Sequence, residues 1–371
     1  MTMPAASKVA AASGIAELGA EALRARTSYG EGALVVCDRV VRIYSGDGIE
    51  VQALQGLDLL IDEGELVAMI GASGSGKSTL INILAGLDTP TAGRVEVAGQ
   101  DLGALSARER LAYRRQQVGF VWQQTSRNLL PYLTARQNVT MPLRFSGVSA
   151  RKRDKRAMEL LATLGVAHCA NRTPSRMSGG EQQRAAIATA LANAPRLLLA
   201  DEPTGELDSH TAQDVFRALQ TANTELGATV LVVTHDPAVS TQVRRTVAIR
   251  DGRTSSETLQ HEVADVLGHI VQQAVEYAVL DRAGRVQLPR EMTEQHRMRD
   301  RVRLRSLEDH IGVWPDRSGE SPSANTVGAR SGNAAGGPSG NPADRPANNP
   351  SGNPARPANS PSGNAPEEGG K

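Results

Sequence analysis

Short, wholly apolar runs alternate along this chain with stretches whose apolar residues recur at helical spacing. Leu66-Val-Ala-Met-Ile70, Leu197-Leu-Leu-Ala200 and Val230-Leu-Val-Val233 have the look of strands buried on both faces. Leu80-Ile-Asn-Ile-Leu84 and Ala185-Ala-Ile-Ala-Thr-Ala-Leu191 suit helices laid on such a sheet. The alternation predicts an α/β domain with a mainly parallel sheet over residues 33–254. Next, Val263, Val266, Leu267, Ile270, Val271 and Ala274 fall at helical spacing and predict a connecting helix over 257–275. Short alternating runs then return in Tyr277-Ala-Val-Leu280, Arg285-Val-Gln-Leu288, Arg301-Val-Arg-Leu304 and Ile311-Gly-Val313, predicting a small β-rich module over 276–315. Residues 316–371 are Gly/Pro/Asn/Ser repeats with almost no apolar side chains to offset ordering entropy, so a disordered tail is expected. The Ala-rich residues 1–32 lack the apolar core of a secretory signal and read as a second disordered tail.

Composition narrows the picture only a little. The 371 residues allow more than one domain, and a formal net charge of +1 gives no global electrostatic case for nucleic acid. Cys37 and Cys169 lie far apart and are expected to be small buried apolar residues, forming neither a disulfide framework nor a metal site. No apolar run approaches the roughly 18–20 residues of a membrane span, so a membrane role would come through a partner. Basic Arg151-Lys-Arg-Asp-Lys-Arg156 precedes Met158, Leu160, Leu161 and Leu164, which reads as the solvated face of a packed helix.

The chemistry begins after the first apolar run, where Gly71, Ala72, Ser73, Gly74, Ser75, Gly76, Lys77, Ser78 and Thr79 spell G-x-x-x-x-G-K-[ST] between strand and helix. The glycines let backbone N–H groups approach an anion without a Cβ in the way. The helix starting near Lys77 aims its free donors and positive dipole end at the same point. Lys77 suits β- and γ-phosphates, and the Ser78 hydroxyl suits Mg²⁺. Asp201 and Glu202 end another buried run, where open α/β sheets place ligands. Asp201 can share that Mg²⁺ and Glu202 can orient or deprotonate an attacking water. Ser178-Gly179-Gly180-Glu181, just ahead of a helix, forms a second anion cup. One triphosphate rarely needs two cups from one lobe, which points to a nucleotide held between two chains.

Together these motifs resemble the ATP-binding subunit of an ABC transporter, from about Val35 to Arg253. The fold so implied is a P-loop NTPase with a helical subdomain. Ser178, Gly179, Gly180 and Glu181 match the family signature, with Met177 in place of the usual leading Leu. Gln123, ending Gly119-Phe-Val-Trp-Gln123, matches the Q-loop residue that senses Mg²⁺ and couples to the membrane partner. His235 in Val232-Val-Thr-His235-Asp matches the switch histidine at the γ-phosphate, and Asp208 in Gly205-Glu-Leu-Asp208 matches the D-loop. Tyr44 stands where the family stacks an aromatic on adenine. Glu206 departs from the small or amide residue usual in the D-loop and adds a carboxylate near the dimer seam.

Ala53-Leu-x-Gly56, Leu129-Leu-Pro-Tyr-Leu-Thr134 and Asn138-Val-x-Met-Pro142 resemble the macrolide-exporter and lipoprotein-release branch, which also contains the cell-division pair. That branch implies a second copy of the chain and an integral membrane permease of macrolide-exporter (MacB-like) or cell-division (FtsX-like) type. It also implies ATP and Mg²⁺ as cofactors, and a place on the cytoplasmic face of the membrane. Tyr277-Ala-Val-Leu-Asp281-x-x-Gly284-Arg-Val-x-Leu-Pro289 with Arg301-Val-x-Leu304 resembles one protomer of the AbrB/SpoVT swapped-hairpin fold, an intertwined dimer that often binds DNA. Two protomers are needed to complete such a core and the ATPase already works as two chains, so tethering of two ATPase copies is the expectation here, and no nucleic-acid partner.

The expected function is ATP hydrolysis that powers transport, export more than import, with Glu202 and His235 catalytic. Within the same class, the alternative is a non-translocating ATPase driving an envelope or division partner. From another class, it is a DNA-associated ATPase or regulator acting through the C-terminal module. Coiled-coil repair and condensing ATPases are disfavoured, because no sustained heptad separates the phosphate loop from the signature.

Overall fold

The computed structural model describes residues 29–46, 48–236, 239, 241–264, 270–281, 284–307 and 309–315. The expected tails over 1–28 and 316–371 lie outside them. Tyr29–Gly32, expected to belong to the first tail, form a turn instead, and Arg94 Nη2 donates to the Tyr29 carbonyl at 3.1 Å. In chain order the elements are β1 (Val35–Gly46), β2 (Ile49–Ile61), β3 (Leu66–Ile70), α1 (Lys77–Leu84), β4 (Ala92–Val97), β5 (Gln100–Asp101) and α2 (Ala107–Gln116). They continue as β6 (Val118–Val121), α3 (Ala135–Phe145), α4 (Ala150–Thr163), α5 (Gly179–Ala190), β7 (Leu197–Asp201), α6 (Ser209–Thr224) and β8 (Thr229–Val233). Last come β9 (Arg245–Arg250), β10 (Arg253–Ala264), β11 (Ile270–Ala278), α7 (Arg290–Gln295), β12 (Val302–Ser306) and β13 (Ile311–Pro315).

The main sheet has strand order β11-β10-β9-β3-β8-β7-β6. Its stretch from β9 to β6 is parallel, and β10 and β11 extend it antiparallel. The three apolar runs are its central strands, and Val67, Ala68, Met69, Leu197–Ala200 and Val230–Val233 are buried. A second, antiparallel sheet of order β2-β1-β4-β5 shares one core with α1, through Leu54, Leu57, Leu80, Ile81 and Leu84. The other core joins the far face of the main sheet to α3, α4, α5 and α6. In α4 the basic residues expected on a solvated face are largely exposed, while Ala157, Leu160 and Leu161 are buried. Ser106, Thr134 and Ser178 each close a capping box, so the starts of α2, α3 and α5 are fixed locally.

The helix expected over 257–275 does not form. Residues on both sides of 265–269 are strand: β10 pairs with β9 from Arg253↔Arg250 to Leu259↔Arg245, and with β11 from Ser256↔Ala278 to Ala264↔Ile270. Two physical terms override the helical spacing. Thr254, Thr258, Val263, Ile270, Val271 and Val275 are β-branched and favour a pleated surface. The edge of β9 also offers backbone groups that only another strand can pair. Arg245 then fastens the added strand, with Nη2 at 2.9 Å from Glu257 Oε1 and Nη1 at 3.2 Å from Glu65 Oε2 and 2.9 Å from the Leu60 carbonyl.

The β-rich module expected over 276–315 accordingly starts inside β11. The turn expected at Asp281–Gly284 is present: the Gly284 N–H donates to the Asp281 carbonyl at 2.8 Å, and Leu280 bridges Val286. Pro289 ends that hairpin and starts α7, and the last two alternating runs are β12 and β13, an antiparallel pair.

Candidate nucleotide site

The phosphate loop hangs between β3 and α1. Gly76 has φ +103 and Gly74 φ +78, the left-handed region glycine favours. A Cβ on Gly76 would lie 2.6 Å from the Ala53 carbonyl oxygen, and one on Gly71 would overlap that of Ile249. The loop is therefore seated against β2 and β9 by atoms that leave no room for a side chain. Lys77 is only 7% exposed, and its Nζ donates to the Gly71 and Ala72 carbonyls at 2.7 and 2.9 Å. The ammonium spans the cup of its own loop. The Ser75 hydroxyl is buried without a hydrogen-bond partner, whereas Ser73, Gly74 and Ser78 are exposed. Backbone donors, a positively charged floor and an open mouth fit a polyphosphate.

Asp201, the last residue of β7, pairs in register with Val233 of β8. Burial first, and then the charge of Glu202, raise its carboxyl above the ordinary value, while Lys77 and Arg127 pull it down. A divalent cation would remove the Asp201–Glu202 conflict, so the residues present fit Mg²⁺. Glu202 has φ +44, unusual for any side chain but glycine, and is held there by its N–H to the Val233 carbonyl at 2.8 Å. Its Oε2 lies 2.9 Å from His235 Nδ1. A Cβ on Gly205 would sit 3.4 Å from both Gln123 Nε2 and Glu202 Oε2. The fold thus brings Gln123, the Glu202–Gly205 turn and His235 together from three separate segments.

Ser178 caps α5, with its Oγ accepting the Glu181 N–H at 3.2 Å and Glu181 Oε2 accepting the Ser178 N–H at 2.8 Å. Hydrogen bonds from His168 and then from Ser178 hold the Glu181 carboxyl down at about 2. Met177 is buried in the helical core, which explains why a thioether can replace Leu there. A Cβ on Gly180 would overlap the Thr211 side chain, fixing α5 close to α6. Asp208 caps α6, accepting from the His210 and Thr211 N–H groups at 3.1 Å each, and Glu206 is exposed.

Tyr44 is 40% exposed; its hydroxyl donates to Asp88 Oδ2 at 2.8 Å and the Arg42 guanidinium lies 4.4 Å from its ring centre. Sequence reasoning passed over Arg42 and Asp88, which fix this ring through a 2.8 Å ion pair. Arg42 stands two residues from Tyr44 on one strand face, a legible signal; Asp88 arrives from a loop remote in sequence. Sequence reasoning also passed over Arg127, which stacks 4.3 Å over the Trp122 ring beside Gln123; no period of a helix or strand relates the two within their irregular loop.

A parallel sheet with a glycine phosphate loop, a strand-end acid pair and a helical insert defines a P-loop nucleotide-hydrolase domain. The chain belongs to the ATP-binding cassette family of ABC transporters. The family model "ABC transporter" matches residues 54–205. The chain is 41% identical to the cassette MJ0796 in its dimeric post-hydrolysis structure bound to ADP and Pi, at TM-score 0.56, covering 61% of this chain and 98% of that one. It is 27% identical to cbiO1 of Clostridium perfringens, part of the ABC transporter complex cbiONQ, at TM-score 0.56 over 60% of this chain and 87% of that one. It is 48% identical over 221 residues, 60% of its length, to the macrolide export ATP-binding/permease protein MacB of Chromobacterium violaceum. The chain spans 34% of that relative's length. Among the described residues no helix is long and apolar enough to cross a membrane.

Proposed function

We propose that the protein is the ATP-hydrolysing subunit of an ABC exporter and works on the cytoplasmic face of a membrane permease of macrolide-exporter or cell-division type. The observation that supports this most is the convergence of Gln123, Glu202 and His235 around Gly205, beside a phosphate loop floored by Lys77. Residues 71–79 bind the triphosphate of ATP, Tyr44 stacks on the adenine, and Ser78, Gln123 and Asp201 hold Mg²⁺. The exposed Ser178 and Gly179, with Gly180 and Glu181, close from a second copy over the γ-phosphate, and Asp208 lies at the seam. Glu202 positions the attacking water and His235 steadies the charge that develops on the transferred group. Bound by Ser78, Gln123 and Asp201, Mg²⁺ would supply neutralisation of the phosphate charge.

The similarity to MacB supports an export-type partner, because that protein carries its own permease under a macrolide-export name. The segment after β11 belongs to the same proposal as a tether between copies. Val302, Leu304 and Ile311 are exposed on a two-stranded hairpin, an arrangement that is marginal alone.

The test is sizing of the purified Glu202→Gln variant with and without Mg-ATP, followed by affinity capture of the native protein from solubilised membranes. ATP-dependent pairing and recovery of a permease are expected. If the variant neither takes up ATP nor pairs, the nucleotide assignment fails; if it pairs but no membrane protein is recovered, the transport assignment fails. Removing residues from 279 onward should weaken self-association without ATP.

A further inference from the structure

On the flank of the signature helix, Glu181 is met by two side chains of metal-ligating type, His168 and Cys169, that the nucleotide chemistry does not use. The chain leaves α4 through Val166 into a 3₁₀ turn, Ala167–Cys169, whose closing N–H, that of Cys169, donates to the Val166 carbonyl at 3.0 Å. Val166 and Cys169 are both buried in the helical core, so the turn is pinned and Cys169 cannot swing away. His168 stays half exposed, with Nε2 2.8 Å from Glu181 Oε1. One ligand atom from each of His168, Cys169 and Glu181 lies within 4.8 Å of the others.

We propose that His168, Cys169 and Glu181 form a binding site for a thiophilic divalent cation such as Zn²⁺. A thiolate, an imidazole and a carboxylate are the donor set such an ion prefers, with water as the fourth ligand on the exposed histidine side. Tetrahedral Zn²⁺, with bonds of about 2.0–2.3 Å, needs ligand atoms about 3.3–3.7 Å apart. Cys169 is fixed, so the mobile His168 and Glu181 side chains make the adjustment. The two oxygens of Glu181 divide the work. Oε2 stays on the Ser178 N–H at 2.8 Å while Oε1, now shared with His168, turns to the ion.

The cation site stands whether or not the chain hydrolyses ATP. Its consequence for the signature loop, where the cation would stiffen the Ser178 cap, rests on the nucleotide chemistry proposed above.

Arg172 is the competing cation. Its Nη1 lies 3.9 Å from both Cys169 Sγ and Glu181 Oε1, and its side chain is 49% exposed, so it can leave toward solvent. Binding replaces the thiol S–H bond with a metal–sulfur bond and releases that proton to water, so affinity rises with pH. The charged groups facing the thiol are Glu181, Arg172 and Arg184.

Titrating the full-length protein with Co²⁺, and then displacing it with Zn²⁺, tests this directly. One equivalent per chain should produce a thiolate-to-cobalt charge-transfer band that Zn²⁺ abolishes. Cys169→Ser should remove the band, Cys37→Ser should keep it, and His168→Ala, at a half-exposed position outside the core, should weaken Co²⁺ binding at least tenfold. Arg172→Ala should tighten it. No band in the folded parent, or a band that survives Cys169→Ser or is unmoved by His168→Ala, overturns the site.

Discussion

Glu202 Oε2 and His235 Nδ1 stand 2.9 Å apart, joining the acid that follows one central strand to the histidine that follows the next. Glu202 reaches that position only by taking φ +44, a conformation a side chain rarely adopts without a tertiary reason. Strain at a carboxylate held by a histidine suits the proposed role of Glu202 as a pre-organised base. Glu202→Gln keeps the shape and removes the proposed base, and His235→Ala removes the group that contacts it. Each should lower ATP turnover on the order of 10²–10³-fold with ATP binding retained. Steady-state hydrolysis beside equilibrium nucleotide binding checks this, and parental turnover in Glu202→Gln would move the base elsewhere.

Two glycines in one loop separate strain from collision. Gly74 and Gly76 both have positive φ, but a Cβ on Gly74 meets open space and one on Gly76 meets the Ala53 carbonyl oxygen at 2.6 Å. Gly74→Ala should cost about 1 kcal/mol, and Gly76→Ala about 2–4 kcal/mol together with loss of ATP binding. Denaturation midpoints of the two variants decide it; equal losses would mean that the loop yields freely at β2.

Glu181 makes the signature helix sensitive to acid. Its carboxyl drops from an ordinary 4.5 to about 2, chiefly through the His168 hydrogen bond. A depressed carboxyl contributes stability that is complete above the unfolded value and is lost as pH falls through the folded one. Glu181→Gln should therefore be less stable than the parent at pH 6, and the gap should close between about pH 4.5 and 2. Thermal unfolding of both proteins across that range is the measurement, and a gap that widens on acidification contradicts the linkage.

Arg245 holds the added hairpin to the sheet through Glu257, Glu65 and the Leu60 carbonyl. Its truncation leaves two half-buried carboxylates facing each other without a cation. Arg245→Ala should cost about 2–3 kcal/mol. Hydrogen exchange should rise first in β10 and β11; uniform exchange with no change in stability would show that the hairpin holds without it.

Tyr44 offers one ring face, since Arg42 lies over the other at 4.4 Å. Tyr44→Ala should weaken ATP binding about tenfold, in keeping with roughly 1–3 kcal/mol for a stacked base. Tyr44→Phe, which loses only the hydrogen bond to Asp88, should stay close to the parent. Fluorescent-nucleotide titration separates the two, and equal losses would assign the affinity to the Asp88 contact.

The sequence alone determined the features whose physics is local. Continuous apolar runs bounded by turn residues pointed to strands buried on both faces, and Gly71 to Thr79 carried its own anion chemistry in the order of its residues. Ser178 with Glu181 wrote out a helix start three residues long. The tertiary structure decided what depends on neighbours far away in the chain. Residues 257–275 fit a helical period, yet the segments on either side of 265–269 became β10 and β11, because the edge of β9 left backbone groups only a strand could pair. Likewise Asp88 meeting Tyr44, Gln123 and Glu202 flanking Gly205, and Glu181 meeting His168 and Cys169 follow from packing between segments, which no periodicity along a single chain records.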